Sequence, residues 1–360
     1  MTATMPPHDY GLTGAAKQRA FDAGLANAEW FQPVIDPGRL RELQARTDGR
    51  ATFDTLLWIA LLVGSGVWAY STVWSWWSIP AFLVYGALYG GAADPRWHEM
   101  GHGTAFRTPW LNDAIYPFAS AMLFRGPTVW RWSHYRHHTD TIIVGRDAEI
   151  SFQRPTNPWR TALAFTGKGA APMFVRLVEH AFGRIDPDAA EFVPRNEHRK
   201  VVWESRVIVA VVAAAAVWSI VAWTPLPILF IGGPTFYGQW LMVFFGITQH
   251  AGLRENVLDH RYNSRTVYMN PVFRFLYLNM NYHVEHHIFP SIPYPALPQL
   301  HEEIKSQLAP PLPNTWVTYK QIFSTLARQR RDPTYEIPLQ VPDVPSASKH
   351  RIDVGETAWV

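Results

Sequence analysis

Apolar and charged positions segregate into long blocks along this chain. No charged residue occurs from Thr55 to Ala93, and none from Val207 to Leu253. One helix needs about 20 apolar residues to cross the hydrocarbon of a bilayer, so each run is long enough for two passes. Each run also breaks near its middle, at Tyr70–Pro80 ("YSTVWSWWSIP") and at Trp223–Pro227 ("WTPLP"). The pattern predicts an all-α integral membrane protein with two helical hairpins. The four transmembrane helices fall at about 53–72, 75–93, 205–223 and 227–248. Four buried core helices of a soluble protein are the competing reading, which charge-free runs of this length disfavour.

Shorter segments complete the outline. Ala114–Phe124 is too short to span and is expected at the interface, and Met173–Phe182 reads as an interfacial amphipathic helix. Trp316, Tyr319, Phe323 and Leu326 share one helical face, followed by Arg328, Arg330 and Arg331. A proline-rich, polar tail follows Asp332. The expected organisation is an N-terminal cytoplasmic segment at 1–51, a membrane catalytic domain at 52–308, and an amphipathic helix and tail at 309–360.

Charge sets the orientation. Neither break carries Lys or Arg, whereas "RLRELQARTDGR", residues 94–206 and the C-terminal region are basic. Basic segments stay in the cytoplasm, so these three regions are expected there. The polar N-terminus shows no signal peptide before the first span. Tryptophan is abundant at 17 of 360 residues, in keeping with membrane interfaces. The net charge of +3 is too small to point to a nucleic-acid partner. With no cysteine, disulfides, thiolate ligands, Fe–S clusters and cysteine nucleophiles are excluded.

Histidine then changes the picture. Nine of the 15 histidines lie in four patches: His98 and His102 in "HEMGH"; His134, His137 and His138 in "HYRHH"; His250 in "TQHAG"; and His283, His286 and His287 in "NYHVEHHIFP". Positions i, i+3 and i+4 share a helix face, so each H-x-x-H-H triplet is expected to point one way. The hairpin topology puts all four patches at one membrane face, where a cytoplasmic helical domain would carry a His-rich dimetal site. Nine imidazoles give two metals four or five ligands each. Nitrogen ligation with open positions suits iron doing oxygen chemistry, although zinc and copper bind imidazole too. His8, His180, His198, His260, His301 and His350 are scattered and read as ordinary surface or loop residues.

The order H-x3-H, H-x2-H-H, isolated His, H-x2-H-H around two hairpins resembles the membrane-bound fatty acid desaturase and hydroxylase superfamily, over roughly Thr52–Leu308. The resemblance implies two Fe ions held by the nine histidines, with O2 as co-substrate. It implies oxidation of an unactivated C–H bond, with fatty acyl desaturation leading. The segments "HTDTIIVGRDAEI", "LDHRYNSRTVYMNP" and "YPALPQLH" are most similar to the bacterial MocD-like branch, which is associated with a separate ferredoxin and reductase. That likeness implies a bacterial inner membrane, and it keeps hydroxylation or oxidative demethylation of a small molecule open. Oxidative decarboxylation to a terminal alkene also stays open. No "HPGG" haem motif of a fused cytochrome b5 is present, so electrons are expected from a separate protein. Arg131, Arg136, Arg254 and Arg261 are the expected docking residues for an acidic ferredoxin.

Carboxylates near the boxes are expected to orient the ligands: Glu99, Asp140 and Glu285 as the leading catalytic-site candidates, with Asp147 and Glu149 beside them. Gln249 or Asn281 is expected near a metal-bound water, and Trp130 and Trp132 at a substrate entry. "HEMGH" also fits H-E-x-x-H, so an intramembrane zinc metalloprotease using His98, Glu99 and His102 is a rival from another class. It leaves seven clustered histidines unused. A non-catalytic metal- or lipid-binding membrane protein is the other alternative.

Overall fold

The computed structural model describes residues 10–26 and 29–347. It is all-helical. Among the described residues the only β pairing is two isolated bridges, Thr266 with Tyr282 and Val267 with Leu312.

Three helices are long and apolar enough to cross a membrane: Gly49–Ser71, Arg195–Val221 and Leu226–His250. The first two outrun their apolar runs at the N-terminal side, because residues such as Arg199 and Glu204 continue the same helical ladder. The third is relayed at Gly232, whose φ of 83° only glycine adopts without strain. The apolar run at 75–93 differs from the expectation of one uniform span. It forms an α-helix over Ser78–Gly86, then a π turn over Ala87–Gly91, and then leads into a new helix at Ala93–Gly101.

Glycine packing accounts for that irregular passage. A Cβ on Gly238 would fall 1.8 Å from the Gly86 carbonyl oxygen, and one on Gly90 would fall 2.7 Å from that of Pro234. Backbone therefore lies directly on backbone where this segment crosses the Gly233–His250 helix, as small residues permit in membrane helix pairs. On its other side the buried Trp58 donates its indole N–H to the Leu88 carbonyl at 2.9 Å. The π turn thus sits locked between two long helices, and it re-aims the chain into the helix carrying the first histidines.

The breaks between long helices are short and rich in exposed tryptophan. Trp74 and Trp76 are each 87% exposed and Trp223 is 95% exposed. An uncharged loop with bare indoles suits the water–lipid boundary. At the opposite end the connecting segments fold over the histidines. Ala114–Phe124 lies mostly within the Pro109–Met122 helix, packed on Ala93–Gly101, where Tyr116 donates to the Pro127 carbonyl at 2.8 Å. The Ala170–Ala181 helix packs on His198–Val221 and leaves Val175 exposed. In the Thr315–Arg331 helix, Tyr319 stacks on Phe244 and Ile322 is buried, while Trp316 and Phe323 stay exposed. The proline-rich segment after Asp332 is held at Ala347, whose N–H donates to the Gln32 carbonyl. His8, His350 and the rest of the tail lie outside the described residues.

Candidate metal centre

Four elements supply the clustered imidazoles. His98 lies on the Ala93–Gly101 helix and His102 caps its C-terminus. His134, His137 and His138 lie on Pro127–Thr139, which proline starts with its φ preset for a helix. His250 ends Gly233–His250, and His283, His286 and His287 lie on the short His283–Ile288 helix. The nine imidazoles come together in two sets. His98, His102, His134, His138 and His286 form one; His137, His250, His283 and His287 form the other.

The triplets share a face, but they do not serve one centre each. On a helix i and i+4 are about 40° apart, while i+3 falls on the other side of i, about 100° from i+4. His134 and His138 therefore stay together and His137 crosses to the other set. His283 and His287 stay together and His286 crosses the other way. Each set receives an i, i+4 pair from one helix and the i+3 ring of the other.

Within each set neighbouring Nε2 atoms nearly touch. The separations are 3.0 Å for His102–His134, 3.1 Å for His134–His138 and 3.1 Å for His138–His286. They are 2.9 Å for His250–His283 and 3.1 Å for His283–His287. Nitrogens placed about 2.1 Å from a shared ion at roughly right angles would have this spacing. Burial, reinforced by neighbouring imidazoles, pushes the pKa of His98, His134, His138, His283, His286 and His287 well below the ordinary range. Burial lowers that of His102 to about 4. Neutral rings are the ligating form, so the donor set fits two bound metal ions.

The sequence pattern of fatty acid desaturases matches residues 74–319. The chain belongs to the fatty acid desaturase family. Its long apolar helices and that membership make it a membrane protein. A stretch of 84 residues is 32% identical to a delta(12)-acyl-lipid-desaturase of Punica granatum, covering 22% of this chain and 21% of that relative. The chain thus matches about a fifth of the relative's length.

Around the desaturase-family centre, the carboxylates sort differently from their order in the sequence. Asp147 accepts from His137 Nδ1 at 2.9 Å, and Glu149 lies 3.3 Å from His134 Nδ1. Burial alone would lower the pKa of His137, but Asp147 outweighs it and raises it to about 9. Glu99, Asp140 and Glu285 make no hydrogen bond to a clustered imidazole among the described residues. Asp140 is taken by Arg136 at 2.7 Å and by Arg146 at 2.8 Å. Glu99 accepts from Thr104 and from the Tyr294 N–H, both at 3.2 Å, and burial raises its pKa to about 8. Glu285 is held by Thr266 and His301.

Two histidines read as ordinary are part of this surround. His260 is buried, stacks on Trp30 at 4.2 Å and lies 5.1 Å from the His287 ring. His301 is buried between Glu285 and the Tyr268 hydroxyl. His180 is buried as well, on Asp186, whereas His198 caps a nearby carbonyl. No spacing rule ties His260 or His301 to the boxes; only the Trp30 and Glu285 contacts reveal them. Gln249 lies beside the Tyr277 hydroxyl, and Asn281 donates to the Val267 carbonyl at 2.8 Å while its side-chain oxygen has no hydrogen-bond partner among the described residues.

A narrow crevice with no room for a water molecule abuts His98 and His134, walled by Trp97, Gly101, Tyr116, Arg131 and Tyr135. Neither Trp130 nor Trp132 lines it. Trp130 packs edge-on against Trp97, and Trp132 against Tyr135.

Proposed function

We propose that the chain is an O2-dependent non-haem diiron enzyme that removes hydrogen from an unactivated C–H bond, with fatty acyl desaturation as its reaction. The observation that carries this reading is the five-plus-four arrangement of buried and half-buried imidazoles, each set at ligand spacing. The name of the matched plant relative, an acyl-lipid desaturase, favours an acyl substrate. Bound iron would supply the two-electron activation of O2 that such an oxidation needs. The protein's own residues do the rest. Nine histidines would hold the metals, and Asp147 and Glu149 orient His137 and His134. Trp97, Tyr116 and Tyr135 pack beside His98 and His134 and keep water from that side of the centre.

The likeness of "HTDTIIVGRDAEI", "LDHRYNSRTVYMNP" and "YPALPQLH" to the MocD-like branch favours a second reading, hydroxylation or oxidative demethylation of a small molecule. In either case the reading includes four membrane passes, the 78–91 segment being the second, with the histidines facing the cytoplasm of a bacterial inner membrane. The uncharged tryptophan-rich breaks support that orientation. A separate ferredoxin and its reductase would supply the electrons. Of the four arginines expected to dock it, Arg136 is taken by Asp140, Arg261 by Asp259, and Arg131 lies over Tyr116. Arg254 pairs with Glu336 and lies over Tyr262, and at 37% its side chain is the most exposed of the four.

The test is a mass-spectrometric comparison of cells expressing the chain with a ferredoxin and reductase against cells expressing His286→Ala. Loss of two hydrogens from an acyl chain, absent in the variant, supports desaturation, and gain of one oxygen supports hydroxylation. An unchanged lipid profile from an iron-loaded protein overturns the acyl reading in favour of a small-molecule substrate.

A further inference from the structure

We infer that the two histidine sets are unequal: the four-histidine set takes up metal first and more tightly, and the Asp147–Ala148–Glu149 segment tunes the two sets separately. The inference rests on the diiron reading above and concerns how this chain's residues prepare each site.

The asymmetry lies at the ring nitrogens facing away from the ligand atoms. In the four-histidine set three of the four Nδ1 atoms are held. Asp147 takes His137 at 2.9 Å, the Asn263 carbonyl takes His250 at 2.7 Å, and Thr141 takes His287 at 3.2 Å. The Thr141 hydroxyl already donates to the His137 carbonyl at 2.6 Å, so toward His287 it accepts. Each of these contacts places a proton on Nδ1 and turns Nε2 toward the metal position. Of the four, only His283 Nδ1 has no hydrogen-bond partner among the described residues.

The five-histidine set is the reverse. Glu149 steadies His134 at 3.3 Å, but Nδ1 of His98, His102, His138 and His286 has no hydrogen-bond partner among the described residues, the Glu99 carboxylate lying 4.0 Å from His98 Nδ1. Those four rings must settle orientation and tautomer when a metal arrives. A polar partner behind a ligating histidine is worth about 10–100-fold in metal affinity. Three such partners against one outweigh the single extra imidazole of the larger set.

The two carboxylates stand two residues apart on one stretch, and the Asp147 side chain also accepts the Glu149 N–H at 2.8 Å. One short segment therefore reaches both sets, with one carboxylate for each.

The experiment is an anaerobic titration of purified metal-free protein with iron(II), followed by metal analysis and Mössbauer spectroscopy at one equivalent of enriched iron. The expected result is two steps at least about tenfold apart, with a single mononuclear environment dominating at one equivalent. Asp147→Asn should weaken the first step about 10–100-fold and Glu149→Gln only the second. One unresolved step, or half the molecules carrying paired iron at one equivalent, overturns the ordering and leaves the diiron reading standing. Uptake of fewer than two irons at saturation overturns both. The wild-type spectrum decides the ordering even if a variant misfolds.

Discussion

His138 and His286 stand 148 residues apart in the chain, yet their Nε2 atoms lie 3.1 Å apart in one ligand set. That contact joins the second and third histidine patches across the two helices that carry them. Because each helix also sends a ring the opposite way, through His137 and His286, loss of one histidine perturbs a shared centre rather than a local one.

His286→Ala removes the only ring that the third patch gives to the five-histidine set. The account predicts loss of at least half the bound iron and of oxidation, with helix content unchanged. Metal analysis beside far-ultraviolet circular dichroism checks it.

Helix contact at Gly86 and Gly238 leaves no room for a side chain, since a Cβ on Gly238 would overlap the Gly86 carbonyl. Gly238→Ala is expected to destabilise the protein by about 3 kcal/mol. Gly64 meets nothing within 4 Å, so Gly64→Ala in the Gly49–Ser71 helix should be neutral or stabilising by about 0.5–1 kcal/mol. Thermal unfolding in detergent, run on both variants, separates the two.

His301→Leu would leave the buried Glu285 carboxylate with Thr266 alone. Breaking a buried pair from one side costs about 3–5 kcal/mol. A lower melting temperature with loss of iron is the expected result, and His301→Gln should recover part of both. An unchanged melting temperature would show that the Glu285 contact carries little.

Arg254 is partly exposed and paired with Glu336, whereas Arg136 pairs with the buried Asp140. If a ferredoxin docks on this side, Arg254→Glu should slow turnover and flatten its salt dependence without lowering stability. Arg136→Glu should unfold the protein more readily. Turnover across a salt series, read beside thermal melts, checks the pair.

Much of this arrangement was legible from residue order. Charge-free runs and their breaks marked the long helices, and the nine clustered histidines all reach the centre. The π turn at 87–91 escaped because it depends on Gly86 and Gly90 meeting residues about 150 positions downstream. The split of each triplet follows from helix geometry, but only the facing helix turns a 100° separation into two centres. Proximity in sequence misled for Asp140, which the arginines at 136 and 146 claim, and it hid His301, which reaches Glu285 across 16 residues. Aspartate and glutamate choose partners in three dimensions, so one stretch held both the residues that orient ligands and one that does not.

Everything proposed for this chain depends on nine histidines holding two irons. The decisive measurement is metal analysis of the purified, iron-reconstituted chain with Mössbauer spectroscopy. Two irons per chain in a coupled pair are expected, and the pair is lost with His286→Ala. One zinc per chain and activity without oxygen would contradict it and return the "HEMGH" stretch to the protease reading.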